Sequence, residues 1–291
     1  MLILSIDGGG VRGLLTASLL LRLESELPGW LENVDLFAGA STGALLALGL
    51  AHGLTPQEIF KFYRDCLPEI FRLSWWRRFT TLWRAKYTNN ALKKSLNSIF
   101  GNTQFGELKT DVLIATYFLG QKSPFKSARA RFYDRRDADL QIADVALWSA
   151  SAPTYFPSAD GHVDGGLSAN NCSVCAMAYA EGNGTPFSEI KVLSLGTGRR
   201  AVVLEGGDRG LTYWGQRLLV PFVDGSVDVA DFQARRFLED EGTYHRLQPD
   251  LDEEIALDDV SRLDDLVDLA EEIDIAPTVE WLIEQVGRST S

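Results

Sequence analysis

Short, mostly apolar runs fall at Leu2 to Ile6, Val34 to Ala38, Asp111 to Phe118 and Lys191 to Leu195. Runs of this length without polar alternation predict strands buried on both faces. Between them lie longer stretches with helical spacing, the first from about Val11 to Leu27, closed by Pro28 and Gly29. A second helix is predicted from Gly43 to His52, stopped by Gly53. A third is opened by Thr55-Pro56, with the threonine as cap and the proline at the first helical position. Further helices are expected near Ile142 to Ser149, Val227 to Glu239, Leu263 to Glu272 and Val279 to Val286. Strands alternating with helices predict an α/β fold: a parallel-rich central sheet covered by helices on both faces, in three layers, with a helical, acidic C-terminal edge.

Charge divides the chain where hydropathy does not. Residues 1–204 carry 21 Lys+Arg and 18 Asp+Glu, whereas residues 205–291 carry 7 and 22. We read 1–204 as a catalytic core and 205–291 as an acidic, mainly helical extension packed on the same domain. With a net charge of -12, the chain would repel phosphates, so nucleic acid is not an expected partner. No apolar stretch approaches the ~20 residues of a membrane span, and no export signal is present, so the expected location is cytoplasmic. Cys172-x-x-Cys175 has no second pair to complete a structural zinc site. It reads as small buried residues or as a redox pair at a helix start.

Three stretches carry candidate chemistry. In "LFAGASTGAL", Ser41 lies between Gly39 and Gly43 directly after a strand. Two readings are open: a helix N-cap, or a nucleophile on a strained elbow. In "SIDGGGVRG", Gly8-x-Gly10-x-x-Gly13 matches a dinucleotide fingerprint, yet the acid that fingerprint needs at the far end of the second strand is missing. Asp35 stands at the beginning of that strand. The same backbone points amide N–H groups at a helix start, which suits an oxyanion. In "HVDGGLSANN", Asp164 sits on a glycine turn, either as a turn residue or as a base raised in pKa by apolar neighbours such as Phe156, Val163 and Leu167. Of the three histidines, His52 lies near a helix end, and His245 would complete a Ser41, Asp164, His245 triad.

Taken together, Asp7-Gly-Gly-Gly-Val-Arg-Gly13, Gly39-Ala-Ser-Thr-Gly43 and Asp164-Gly-Gly166 resemble the motifs of the patatin-like phospholipases. "SASAPTYFPS", "NN" and "LSLGTG" add to the likeness, which covers roughly residues 1 to 200. The resemblance implies a patatin-like fold with Ser41 as nucleophile and Asp164 as its direct base, without histidine. Gly9 and Gly10 would donate to the oxyanion. Asp7, Gly8, Arg12 and Gly13 would support the loop, Gly39 and Gly43 the elbow, and Gly165 and Gly166 the turn. The implied substrate is a phospholipid or related acyl lipid, with no cofactor and no metal. Cys172 departs from the pattern, since the family often has proline there. Two other classes stay open: a catalytically silent lipid- or anion-binding module, and a phospholipase held down by its C-terminal third until a ligand arrives, as in nucleotide-triggered defence relatives.

"FRLSWWRRFTTLWRAKY" (71–87) carries five positive charges, no negative ones and three of the seven tryptophans. Such a stretch suits a peripheral membrane surface, with Trp75, Trp76, Arg77, Arg78 and Trp83 as contacts. A helix packed on the core, bridged to the acidic C-terminal region, is the alternative.

Overall fold

The apolar runs become the inner strands of a seven-stranded sheet in a computed structural model of the chain. It describes residues 1–291 except 75, 76, 78–82, 123, 125, 200–203, 206, 209, 211, 212, 215, 216, 239–241 and 288–291. Strands β1 (Leu2–Ile6), β2 (Leu36–Ala40) and β3 (Asp111–Phe118) lie side by side in parallel. Strand β6 (Lys191–Leu195) pairs with β1 on its other side. Three short strands complete the sheet: β4 (Arg129–Tyr133), β5 (His162–Asp164) and β7 (Tyr244–Leu247). Strands β4 and β5 run antiparallel to β3, and β7 runs parallel to β6, giving the order β4-β3-β2-β1-β6-β7 with β5 also on β3.

Both faces are covered, as expected for continuous apolar strands. One face packs against α1 (Gly13–Glu26), α2 (Thr42–His52), α3 (Pro56–Ile70), α4 (Asn89–Phe100) and α5 (Ile142–Ser149). The other packs against the short α6 (Gly166–Ala169), α7 (Ser173–Gly182) and α8 (Leu219–Leu238). Helix α8 turns Ala230, Ala234 and Leu238 inward at four-residue spacing. At the start of α3, Thr55 and Glu58 form a reciprocal capping box with Pro56 in the first turn.

The C-terminal third holds more than helices. Beyond β7 come α9 (Leu263–Glu272) and α10 (Ala276–Gly287), but β7 itself extends the sheet. His245, read from the sequence as lying in a helical stretch, is on this strand. Next to it, Arg246 reaches across β6 to the first residue after β1. Its Nη2 donates to Asp7 Oδ2 at 2.6 Å and its Nη1 to Ser194 Oγ at 2.6 Å, with both charged side chains buried. Burial raises the Asp7 carboxyl above its ordinary range, and the guanidinium opposes that shift.

Removing one partner of a buried ion pair strands the other charge, which typically costs about 3–5 kcal/mol. Arg246→Ala is therefore expected to lose stability on that scale in urea unfolding. A loss within ~0.5 kcal/mol, the size of an ordinary surface change, would contradict the clamp.

Candidate active site

Strand β3 is long enough to pair with two other strands end to end on one side. Its residues Asp111 to Ala115 pair with β2, ending at Ala115 opposite Ala40. The next residue, Thr116, pairs with Asp164, the last residue of β5. The strand that ends at Ala40 and the strand that ends at Asp164 therefore meet head-on. Ser41 follows Ala40, and its Oγ donates to Asp164 Oδ2 at 2.6 Å.

Ser41 occupies the N-cap position of α2 but makes no side-chain cap hydrogen bond. Its backbone has φ 54°, a left-handed conformation that costs a non-glycine residue energy and needs a structure that enforces it. The neighbours enforce it closely. A Cβ on Gly43 would lie 2.1 Å from the Ile6 carbonyl oxygen, and one on Gly39 2.4 Å from that of Gly43, so only glycine fits on either side of the turn. The Ser41 amide donates to Ser149 Oγ at 2.9 Å, and that hydroxyl donates to the Ala115 carbonyl at 2.7 Å.

Asp164 is held with equal definition. Its amide donates to the Ser151 carbonyl and that of Gly165 to the Ser149 carbonyl, so the "SASAPTYFPS" stretch is the cradle of this turn. Asp164 Oδ1 accepts from the Gly166 amide at 2.7 Å. Burial dominates its electrostatics and pushes the carboxyl up to about 6, while the hydrogen bonds from Ser41 and Gly166 pull the other way.

The glycine loop turns past the same point. Among the described residues, the amides of Gly8, Val11 and Arg12 donate to the carbonyls of Asn170, Leu257 and Gly9, while those of Gly9 and Gly10 donate to no protein acceptor. Gly10 has φ +60°, and a Cβ there would lie 2.2 Å from the Leu257 carbonyl oxygen. Arg12 braces the loop by donating to the carbonyls of Gly198 and Gly9. Gly13 opens α1 against Thr42. Gly8, Gly9, Gly10, Ser41 and Asp164 all line one cavity of about 460 Å³. Its deeper walls are apolar, with Leu67, Ile70, Leu92 and Phe156 buried around it.

Other expectations separate from this point. Asp35 accepts from the Leu2 amide at the opposite end of the strands, away from the glycine loop. His245 shares a 2.9 Å hydrogen bond with Thr278, stacks on Trp281 and does not line the cavity. His52 packs edge-on against Phe100. Cys172 and Cys175 are free thiols whose pKa values burial raises, the reverse of a reactive pair. Asn171 Oδ1 accepts from the Ser173 amide, so α7 starts cleanly without a proline at 172. Trp75, Trp76 and Arg78 lie outside the described residues. Trp83 is 80% exposed, and Arg77 donates to the carbonyls of Ala85 and Tyr87 at 2.7 Å. The acidic region does reach this segment, where Asp258 accepts from Lys86 and Tyr87.

The support around the loop includes residues that went unmarked. Thr197 Oγ1 and Asn170 Nδ2 both donate to the Gly8 carbonyl, and Thr16 Oγ1 to that of Gly196. Asn170 and Thr197 fall inside the "NN" and "LSLGTG" motifs, so a signal existed for them. Arg246 and Leu257 carry none.

A family model described as "Patatin-like phospholipase" matches residues 4–172. A cGAMP-activated phospholipase of Pseudomonas aeruginosa is 32% identical over 250 residues, covering 81% of this chain and 75% of that relative. Patatin-like protein 2 of Arabidopsis thaliana is 29% identical, covering 85% of this chain and 75% of the relative. In fold, the chain is similar to VipD from Legionella pneumophila, with a TM-score of 0.50 at 15% identity. That match covers 98% of this chain and 66% of VipD.

A carboxyl whose pKa is raised by folding favours the folded state while protonated and loses that contribution as pH rises through its folded value. From 3.8 to about 6, the cost of ionising Asp164 is about 3 kcal/mol. Asp164→Asn, which keeps the shape and the bond from the Gly166 amide and can donate its Nδ2 to Ser41 Oγ in place of accepting from it, should therefore exceed the wild type in urea-unfolding stability by about that much at pH 8. The gap should close below about pH 4, and equal stabilities at pH 8 would remove the buried-carboxylate account.

Proposed function

We propose that this chain, which belongs to the patatin-like phospholipase family and with it to the lipid acyl hydrolases, cleaves ester-linked acyl chains with Ser41 as nucleophile and Asp164 as base. The observation that carries this reading is the 2.6 Å hydrogen bond between the two side chains in an apolar cavity. Ser41 Oγ attacks the ester carbonyl and its proton passes to Asp164 Oδ2. The amides of Gly9 and Gly10, free of protein acceptors among the described residues, receive the oxyanion. Asp164 returns the proton to the departing alcohol. Water then repeats the sequence on the acyl-serine. A carboxylate is an inefficient base in water, and the raised pKa of Asp164 brings it toward working pH. Apart from the ester and the attacking water, the groups these steps use are side chains and amides of the chain itself.

The reading extends to where the enzyme works. Leu219 and Val223 of α8 line the cavity, and the adjoining Phe222 is 66% exposed. An apolar rim beside an acyl-sized opening suits a peripheral position on a lipid surface, with Trp83 as a further contact. Among the described residues no helix is long and apolar enough to cross a membrane. A second reading, activation by a nucleotide ligand, is supported by the relative named a cGAMP-activated phospholipase. It would show as a rise in ester hydrolysis on adding cGAMP.

Ser41→Ala should lower ester hydrolysis by at least about 10³-fold and end labelling by a fluorophosphonate probe, with an unchanged circular dichroism spectrum. Full activity in that variant would end the proposal. In the wild type, kcat/KM should rise with pH through about 6, because a protonated Asp164 cannot accept the serine proton. An acid limb centred near 4 would point to another base. For the membrane contact, Phe222→Ser combined with Trp83→Ser is expected to reduce co-flotation with phospholipid vesicles several-fold. Undiminished flotation would move the contact elsewhere.

A further inference from the structure

Ser41 precedes α2, Leu45 lies in its first turn, and both line the same cavity. An acyl group carried on Ser41 that follows α2 downward passes over Leu45 and meets Phe62 of α3. Behind these two side chains lies a second void, of about 10 Å³, lined by Ile59, Leu96, Ile99 and Phe100 among others. The two spaces share three lining residues: Leu45, Phe62 and Tyr63. Tyr63 is fixed, since its hydroxyl is hydrogen-bonded to both Oγ1 and the carbonyl of Thr42. Leu45 and Phe62 are only part-buried, and Phe62 meets the Tyr63 ring edge-on at 5.7 Å.

We propose that Phe62, with Leu45, is the partition that ends the acyl-binding cavity, and so sets how long an acyl chain the site accepts. This rests on the acyl-hydrolase reading and adds a specificity determinant to it. The void behind the partition is too small to admit an alkyl chain as it stands, and its lining is apolar. Trimming the Phe62 ring joins the two spaces into a longer channel that favours further methylenes. Enlarging the ring shortens the channel.

The test is kcat/KM for p-nitrophenyl octanoate and palmitate, dispersed in the same detergent, for wild type, Phe62→Ala and Phe62→Trp. The palmitate-to-octanoate ratio should rise by about tenfold or more in Phe62→Ala and fall in Phe62→Trp. Because each ratio is internal to one protein, partial loss of folded enzyme cancels. If both variants keep the wild-type ratio, the chain ends elsewhere and the partition is refuted while the hydrolase stands. If the wild type cleaves neither ester, with cGAMP present or absent, the hydrolase reading and the partition fall together.

Discussion

One strand determines whether this site exists. Strand β3 pairs first with β2 and then with β5 along the same side, so Ala115 and Thr116 hold Ala40 and Asp164 at consecutive positions. Sheet pairing fixes position along a strand and the face each side chain takes. A slip of one residue in either pairing would send Ser41 or Asp164 to the wrong face. The separation of 123 positions in sequence matters little once Ala40 and Asp164 are both paired to β3. The strain at Ser41 is tolerable for the same reason. Its positive φ is enforced by backbone approaches at Gly39 and Gly43 that leave the chain no other path.

The glycine loop is positioned by a wider set of elements. Its carbonyls and amides are held by Asn170, Thr197 and Leu257, which come from three separate segments, and its Arg12 side chain by the Gly198 carbonyl. Asp7 at its root is clamped by Arg246 from β7, and Asp231 of α8 stands behind that guanidinium. Loop amides with no protein acceptor are poorly self-supporting, so the surrounding bonds supply the rigidity that the proposed oxyanion site would require. The acidic C-terminal third contributes Arg246 and Leu257 to this support, and Asp258 to the segment before α4.

How much of this was legible follows from which forces are local. Strand Asp111–Phe118, strand Lys191–Leu195, helix Ile142–Ser149 and helix Leu263–Glu272 match their sequence readings at both ends. Each is a run whose hydrophobic period is unambiguous. Strands β4, β5 and β7 carry no clear signal in the sequence. "RARFY", "HVD" and "YHRL" are short and polar, and only their neighbours in the sheet make them strands. Helix α8 begins eight residues before its predicted start at Val227, because Pro221 and Gly225 weaken its local signal without preventing it. Ser41, Asp164 and the glycines announced themselves through tight turns that demand particular residues. Arg246 reads in sequence as an ordinary surface cation, and nothing local indicates that it ends up buried against Asp7.

The cavity joins two requirements that are usually met separately. An acyl chain needs apolar walls, and a carboxylate that must act as a base near neutral pH needs to be kept from water. Here Leu67, Ile70, Leu92 and Phe156 belong to the cavity that contains Asp164, and burial is the largest influence raising its carboxyl to about 6. An alkyl group that fills the cavity removes further water from around Asp164 and raises its affinity for the serine proton. On the proposed mechanism, substrate that fits would thus strengthen the base that activates its nucleophile, whereas a short ester that leaves the cavity wet would not. On the same proposed mechanism no histidine is needed between Ser41 and Asp164, because apolar surroundings would bring the carboxylate toward the working range that an imidazole reaches by its own chemistry. The same surroundings make an ionised Asp164 a cost to the fold, carried by the β3 pairing and the buried core around it.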